Sequence, residues 1–177
     1  LCKQERVDVP RKASHANVAK IKLLLLDVDG VMTDGGVYIA ESGERFKKFN
    51  IQDGYGIVKL RQHGVRVGII TGGNSKMVQR RAEELGIVDV YQNVDDKLAA
   101  YEKMKAKYRL ADDEIAHIGD DELDLPILER VGFSAAPADA VPSVRKRVDY
   151  VCRRTGGNGA VREVIELLLH GHVDAEW

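Results

Sequence analysis

No apolar run in these 177 residues approaches the roughly 20 needed to cross a bilayer; the longest comparable stretch, Leu23 to Leu26, ends in an aspartate. That excludes a helical membrane span within the sequence. Cysteine is scarce as well. Cys2 lies in a polar leader and Cys152 in a predicted strand, too few for a disulfide framework, so both are expected to stay reduced in a cytoplasmic protein. Neither sign of charge dominates, with 27 Lys and Arg against 28 Asp and Glu, and no basic run marks a nucleic-acid face. The five histidines show no ligand spacing, and His117 is expected to be structural. Internal repeats and low-complexity segments are missing. Residues 1–20 lack the apolar stretch of a secretory signal and are expected to form a leader, poorly ordered or peripheral. The sequence opens on Leu rather than Met, which leaves room for a fused upstream domain.

What remains is a chain long enough for one domain with a full core, placed at residues 21–177. Ile21 to Leu26 is short and evenly apolar, the pattern of a central strand covered on both faces. Val65 to Ile70, Ile115 to Ile118 and Asp149 to Cys152 repeat it. Between them lie helical periods. Ser75 caps a helix with Val78, Ala82 and Leu85 on one face, closed by Gly86. Asp95 opens another through Leu98 and Tyr101, and a last one starts near Gly159, with Val161, Ile165 and Leu168 on its stripe. Alternating strands and helices predict a Rossmann-like α/β sandwich of three layers around a parallel sheet. Residues 36–50, "GVYIAESGERFKKFN", break the pattern and predict a protruding β-hairpin turning at Ser42 and Gly43.

Ligands of open α/β sheets collect beyond the carboxyl ends of the strands. "LDVDGVMTDG" puts Asp27 and Asp29 there, Thr71 ends the next long strand, and "GDDELD" adds Asp120, Asp121 and Asp124. Two like charges about 4 Å apart repel by roughly 4 kcal/mol at an effective dielectric near 20. Five carboxylates in one crevice therefore call for a cation, and hard oxygen donors suit magnesium. Such a site matches phosphoryl transfer, in which a carboxylate attacks phosphorus and a second acid handles the leaving-group proton. Lys97 can reach the same mouth, and Thr71, Gly72 and Gly73 ahead of a helix make a phosphate cradle. Taken singly, "DVDG" also fits a strand-end turn and "GDDELD" a solvated helix start.

The ordered set "DVDG", Thr71-Gly72, Lys97 and "GDDELD" resembles the haloacid dehalogenase superfamily of phosphohydrolases over nearly all the chain after residue 20. By that resemblance Asp27 is the nucleophile and Asp29 the general acid and base, while Thr71 and Lys97 hold the phosphoryl group. Asp27, the backbone carbonyl of Asp29, and Asp120 bind Mg2+, supported by Asp121 and Asp124. "NIQDGYGI" and "GGNGAVRE" narrow the resemblance to the small capless phosphatases of 3-deoxy-D-manno-octulosonate 8-phosphate, a sugar acid of lipopolysaccharide. It implies a homotetramer in which each hairpin helps close a neighbour's site. It also implies a substrate pocket lined by Asn50, Ile51, Gln52, Asp53, Gly54, Gly72, Arg81 and Lys97, covered by Gly156, Gly157 and Gly159. That group often has basic residues where this chain has Gly73 and Val58; Lys59, Lys76 and Arg80 are candidates to compensate. "KKFN" and "RKR" at 145–147 read as solvated charge.

Three alternatives share features of this pattern. Phosphatases of nine-carbon ulosonate 9-phosphates, of KDN or sialate type, share much of the sequence. A non-catalytic tetramerisation domain of a sialate cytidylyltransferase keeps the fold without the chemistry. A phosphoacceptor receiver domain also gathers acids and a lysine, but without two acids after the first strand.

Overall fold

The computed structural model describes residues 18–170, so Cys2 and most of the expected leader lie outside the described residues. The first strand, β1, is Leu23–Leu26, and all four leucines are fully buried. Successive strand side chains point to opposite faces. Leu24 and Leu26 accordingly join one apolar cluster and Leu23 and Leu25 the other. Burying each leucine contributes about 2 kcal/mol, which is why an unbroken apolar run settles in the middle of the sheet.

An irregular turn, Val28–Met32, follows, and then a hairpin of β2 (Tyr38–Ile39) and β3 (Arg45–Phe46). Its strands pair Tyr38 with Phe46 and Ile39 with Arg45. Ala40 and Glu44 close the loop through a 2.8 Å hydrogen bond, with Gly43 at φ +83°, the left-handed position of a three-residue connection. Helix α1 (Ile51–Gln62) is capped by Asn50, whose Oδ1 accepts from the backbone of Gln52 and Asp53.

Strand β4 (Arg66–Ile70) leads to α2 (Lys76–Leu85), with Ser75 and Gly86 as caps where the sequence put them. Strand β5 (Asp89–Tyr91) leads to α3 (Lys97–Tyr108), which is capped by Asp96, one residue later than expected. Asp96 Oδ1 accepts from Ala99 N at 3.0 Å, and that shift makes Lys97 the first helical residue. Strand β6 (Ile115–Ile118), a short helix α4 (Leu125–Leu128), β7 (Phe133–Ala136), α5 (Pro142–Arg145), β8 (Tyr150–Val151) and α6 (Ala160–His170) complete the order.

The sheet runs β5-β4-β1-β6-β7-β8, all parallel, as the alternating pattern required. Side chains of α1, α2 and α6 cover one face and those of α3 and α4 the other, giving three layers. Strands β5 and β7 were not foreseen. Asp89 at the start of β5 reads as a turn residue, yet it is buried and paired with Lys107 at 2.5 Å. The sequence of β7, "FSAA", is too small to signal a strand and is held by β6 and β8 on either side.

Candidate active site

Parallel strands bring every loop that follows them to one edge. Asp27 directly follows β1, Thr71 follows β4, Lys97 lies beyond β5, and Asp120 lies two residues beyond β6. The result is a compact group in which carboxylate oxygens of Asp27, Asp120 and Asp124 lie within 4.8 Å of one another. Lys97 Nζ sits between two of them, 3.1 Å from Asp27 Oδ1 and 2.8 Å from Asp124 Oδ1, with all three side chains buried.

Asp124 is saturated. Its Oδ1 receives Lys97 and His117 Nε2 at 2.8 and 3.2 Å, and its Oδ2 receives the backbone N–H groups of Asp120 and Asp121 at 3.3 and 3.4 Å. Burial alone would raise this carboxyl, but the His117 hydrogen bond and charge, followed by Lys97, bring it down to about 2. Asp27 moves the other way. Burial and then the charge of Asp124 push it up to about 6 against the pull of Lys97. Asp120 rises further, to about 8, through burial and the charges of Asp27, Asp124 and Asp121. For Lys97, burial would lower the ammonium, yet Asp27 and Asp124 outweigh it and hold it above its ordinary value.

The donor set fits a divalent cation on the evidence of two atoms. Asp120 Oδ1 is buried without a hydrogen-bond partner among the described residues, and Asp27 Oδ1 has only the Lys97 ion pair, a costly condition for adjacent carboxylates. Both belong to a site of oxygen donors, the chemistry magnesium prefers.

Asp29 stands apart from this cluster. Its side chain is half exposed and paired with Lys47, which reaches it from the residue after β3. Lys48 pairs with Asp34 and Asn158 while remaining exposed, so of the two lysines in "KKFN" only Lys47 departs from the solvated charge expected from sequence. Thr71 is buried, and its Oγ1 accepts from Gly73 N at 3.2 Å, leaving its own hydroxyl hydrogen to donate. Asp121 is exposed and caps the turn Glu122–Asp124 by accepting from Glu122 N at 2.7 Å.

Two glycines hold the loop of Asp29 in place. Gly30 has φ +87°, and a Cβ there would overlap the Asp120 carboxylate. Gly156 packs so closely that a Cβ would collide with the carbonyl of Gly30, while Gly157 N donates to Val31 O at 2.9 Å. Gly156 and Gly157 thus brace the loop.

A cleft of about 480 Å³ opens beside Asp29 and Thr71, between the hairpin and the start of α2. The expected substrate residues Asn50, Ile51, Gln52, Asp53, Gly54, Gly72 and Arg81 do not line it. Asn50 is spent on capping α1, and Arg81 donates to the Asn50 carbonyl at 3.3 Å and pairs with Glu84. Asp53 is buried and accepts from Gly159 N and Arg162 N, at 3.3 and 2.8 Å, at the start of α6. A larger hollow of about 590 Å³ lies along β5 and α3 and contains none of the clustered acids.

Sequence reasoning passed over Lys47 and underrated His117. The latter is fully buried, with Nδ1 3.2 Å from the carbonyl of Leu25 in addition to its contact with Asp124. Its signal was a polar residue inside an otherwise apolar central strand, "IAHI", pointing back towards the acids that follow it.

Residues 73–165 match the family model of the haloacid dehalogenase-like hydrolases. The chain is 47% identical over 154 residues to 3-deoxy-D-manno-octulosonate 8-phosphate phosphatase KdsC of Escherichia coli K12, covering 87% of this chain and 82% of that protein. The crystal structure of the corresponding phosphatase from Yersinia pestis superposes with a TM-score of 0.86 at 46% identity, over 88% of this chain and 84% of the other. That from Moraxella catarrhalis, solved with a magnesium ion, a phosphate ion and a KDO molecule, gives 0.85 at 42% identity, over 88% and 89%.

Proposed function

The chain belongs to the haloacid dehalogenase-like hydrolases, and from that premise we propose that it is a magnesium-dependent phosphatase releasing phosphate from 3-deoxy-D-manno-octulosonate 8-phosphate. The observation that carries this reading is the buried, unpartnered oxygen of Asp120 within 4.8 Å of an Asp27 carboxylate oxygen, with the Lys97 ammonium paired to Asp27. A site without chemistry has no use for repelling acids held in that way.

Asp27 is the nucleophile. Its carboxylate attacks phosphorus, an Asp27 Oδ–P bond forms, and the bond from phosphorus to the sugar oxygen breaks. Asp29, at the open side of the crevice, gives its proton to that leaving oxygen. It then takes a proton from the water that attacks the aspartyl-phosphate, which frees Asp27 and inorganic phosphate. Thr71 donates its hydroxyl hydrogen to a phosphoryl oxygen, and Lys97 offsets charge on Asp27 and on the transferring group. Asp27, Asp120 and the backbone carbonyl of Asp29 would hold magnesium, which supplies the positive charge that keeps adjacent carboxylates ionised and offsets phosphoryl charge. Asp124 orients Lys97 and the 120–121 backbone.

The test is Asp27→Asn, assayed for phosphate release with magnesium on eight- and nine-carbon ulosonate phosphates. The variant should lose at least about 10⁴-fold in turnover while its circular dichroism is unchanged. Substantial release by the folded variant would rule the mechanism out, and a wild-type preference for nine-carbon substrates would reassign the sugar.

We further propose a homotetramer in the cytoplasm. Val37, Ile39 and Phe46 of the hairpin are 78, 58 and 50% exposed, apolar area that association would cover. Ile51 and Gln52 are exposed on the same chain and available to a neighbour's cleft. The reduced, buried Cys152 fits a cytoplasmic setting, and no helix among the described residues is long and apolar enough to cross a membrane. Sizing in solution should return four chains; a monomer would remove the argument from the hairpin.

A further inference from the structure

The proton that Asp29 gives to the leaving oxygen has to arrive at one atom, yet Asp29 stands outside the sheet that fixes the other acids. It lies on the irregular turn Val28–Met32, with its side chain half exposed. The Thr33 backbone and hydroxyl both donate to Val28 O, at 3.0 and 3.2 Å, which closes the turn without fixing where it points. The turn leans instead on a segment remote in sequence. Gly156 lies against the Gly30 carbonyl, and Gly157 N donates to Val31 O at 2.9 Å.

That segment, residues 153–159, joins β8 to α6 and belongs to no helix or strand. Carboxyl groups from three other parts of the chain take its backbone N–H groups. Glu163 accepts from Arg153 N and Arg154 N, at 2.9 and 3.0 Å. Asp139 Oδ1 accepts from Gly156 N at 2.9 Å. Asp53, reaching across from α1, accepts from Gly159 N at 3.3 Å and from Arg162 N at 2.8 Å. Asp53 is only 3% exposed, and all of these contacts lie within one chain. A buried acceptor shared by two N–H groups cannot move without leaving them unpaired, so it anchors the segment where α6 begins.

We propose that Asp53 and Asp139 are positioning residues for Asp29: by holding the 153–159 segment they fix the backbone of Gly30 and Val31, and with it the direction from which the general acid meets the leaving oxygen. This rests on the phosphatase reading above. Asp139 holds Gly156, the residue in contact with Gly30, and Asp53 holds the far end of the segment. Gly157 has φ +62°, and a Cβ there would strike the backbone of Thr33 and Asp34. With backbone lying directly on backbone, a shift of the segment passes undamped to the turn. Misplacing a reacting group by about 1 Å can cost about 10²-fold in rate.

The test uses two leaving groups. A sugar alkoxide needs a proton to depart, whereas p-nitrophenolate leaves without one, and kcat/KM reports the reaction up to formation of the aspartyl-phosphate. Wild type, Asp53→Ala, Asp53→Asn and Asp139→Ala are compared on 3-deoxy-D-manno-octulosonate 8-phosphate and on p-nitrophenyl phosphate. Asp53→Ala should lose about 10- to 100-fold in kcat/KM on the sugar ester, through kcat rather than KM, and less than about threefold on the nitrophenyl ester. Asp53→Asn, which keeps one acceptor oxygen, should recover most of the loss. Asp139→Ala, at an exposed position, should fall about three- to tenfold with the same selectivity, and it carries the test if Asp53→Ala does not fold. The inference is overturned if the folded variants lose equally on both esters, as a merely structural role predicts, or if they lose on neither. A wild type inactive on the sugar ester refutes the reading on which the inference rests.

Discussion

The crevice above the sheet and the hairpin beside it both carry charge, but they hold it by opposite means. In the crevice, Asp124 is fixed by four donors, Lys97 by two carboxylates, and each group is buried beneath strand ends that cannot move independently. The hairpin has two residues per strand, leaves its apolar side chains wet, and is a structure of marginal stability by itself. Chemistry needs groups that stay put when charge develops, and the sheet supplies that.

The strongest way to break this comparison is Gly30→Ala. A methyl at that position overlaps the Asp120 carboxylate and demands a left-handed backbone from alanine. Turnover should fall about 10³-fold on every phosphate ester alike, because the reacting groups are displaced rather than the sugar contacts. A loss confined to sugar acids would mean that the loop belongs to recognition.

A smaller effect is expected at His117. His117→Leu removes one of the donors to Asp124 and the ring contact to the Leu25 carbonyl, costing about 1–3 kcal/mol of stability in chemical denaturation. Turnover should drop about 10- to 100-fold, with His117→Gln restoring part of it as a remaining donor. If both variants are equally stable but equally slow, His117 acts on the reaction through something other than Asp124.

Asp53 sharpens the comparison through pH. Burial pushes its carboxyl up to about 6, against the backbone N–H groups of Arg162 and Gly159, so the folded chain favours the protonated form. The sign follows: its contribution to stability is full below the unfolded value near 3.8 and is lost as the pH rises through 6. The gap corresponds to at most about 3 kcal/mol. Asp53→Asn should therefore gain on the wild type in melting temperature between pH 4 and pH 7. A difference independent of pH would show that the carboxyl is not perturbed by burial at the start of α6.

Much of the scaffold could be read directly. The apolar block before Asp27, the Ser75 and Gly86 caps and the hairpin turn near Gly43 are local signals, and the fold honours each. Strands β5 and β7 could not be read, because one begins with an acid and the other consists largely of small residues. Their strand character comes from neighbours in the sheet. The site divides in the same way. Asp27, Thr71, Lys97, Asp120 and Asp124 announce themselves by position after strands, whereas Lys47 looked like surface charge until the hairpin folded back onto Asp29.

The order of motifs along the chain determined by itself which residues would arrive at the carboxyl edge, since a parallel α/β arrangement sends every strand-end loop there. Tertiary structure alone decided which of those acids share one buried space, that Asp124 would be held by Lys97 and His117, and that Asp53 would accept from the backbone at the start of a helix remote in sequence. Those outcomes depend on distances of a few ångströms between segments remote in sequence. Burial and Coulomb energy are functions of such distances, and no local pattern of residues encodes them.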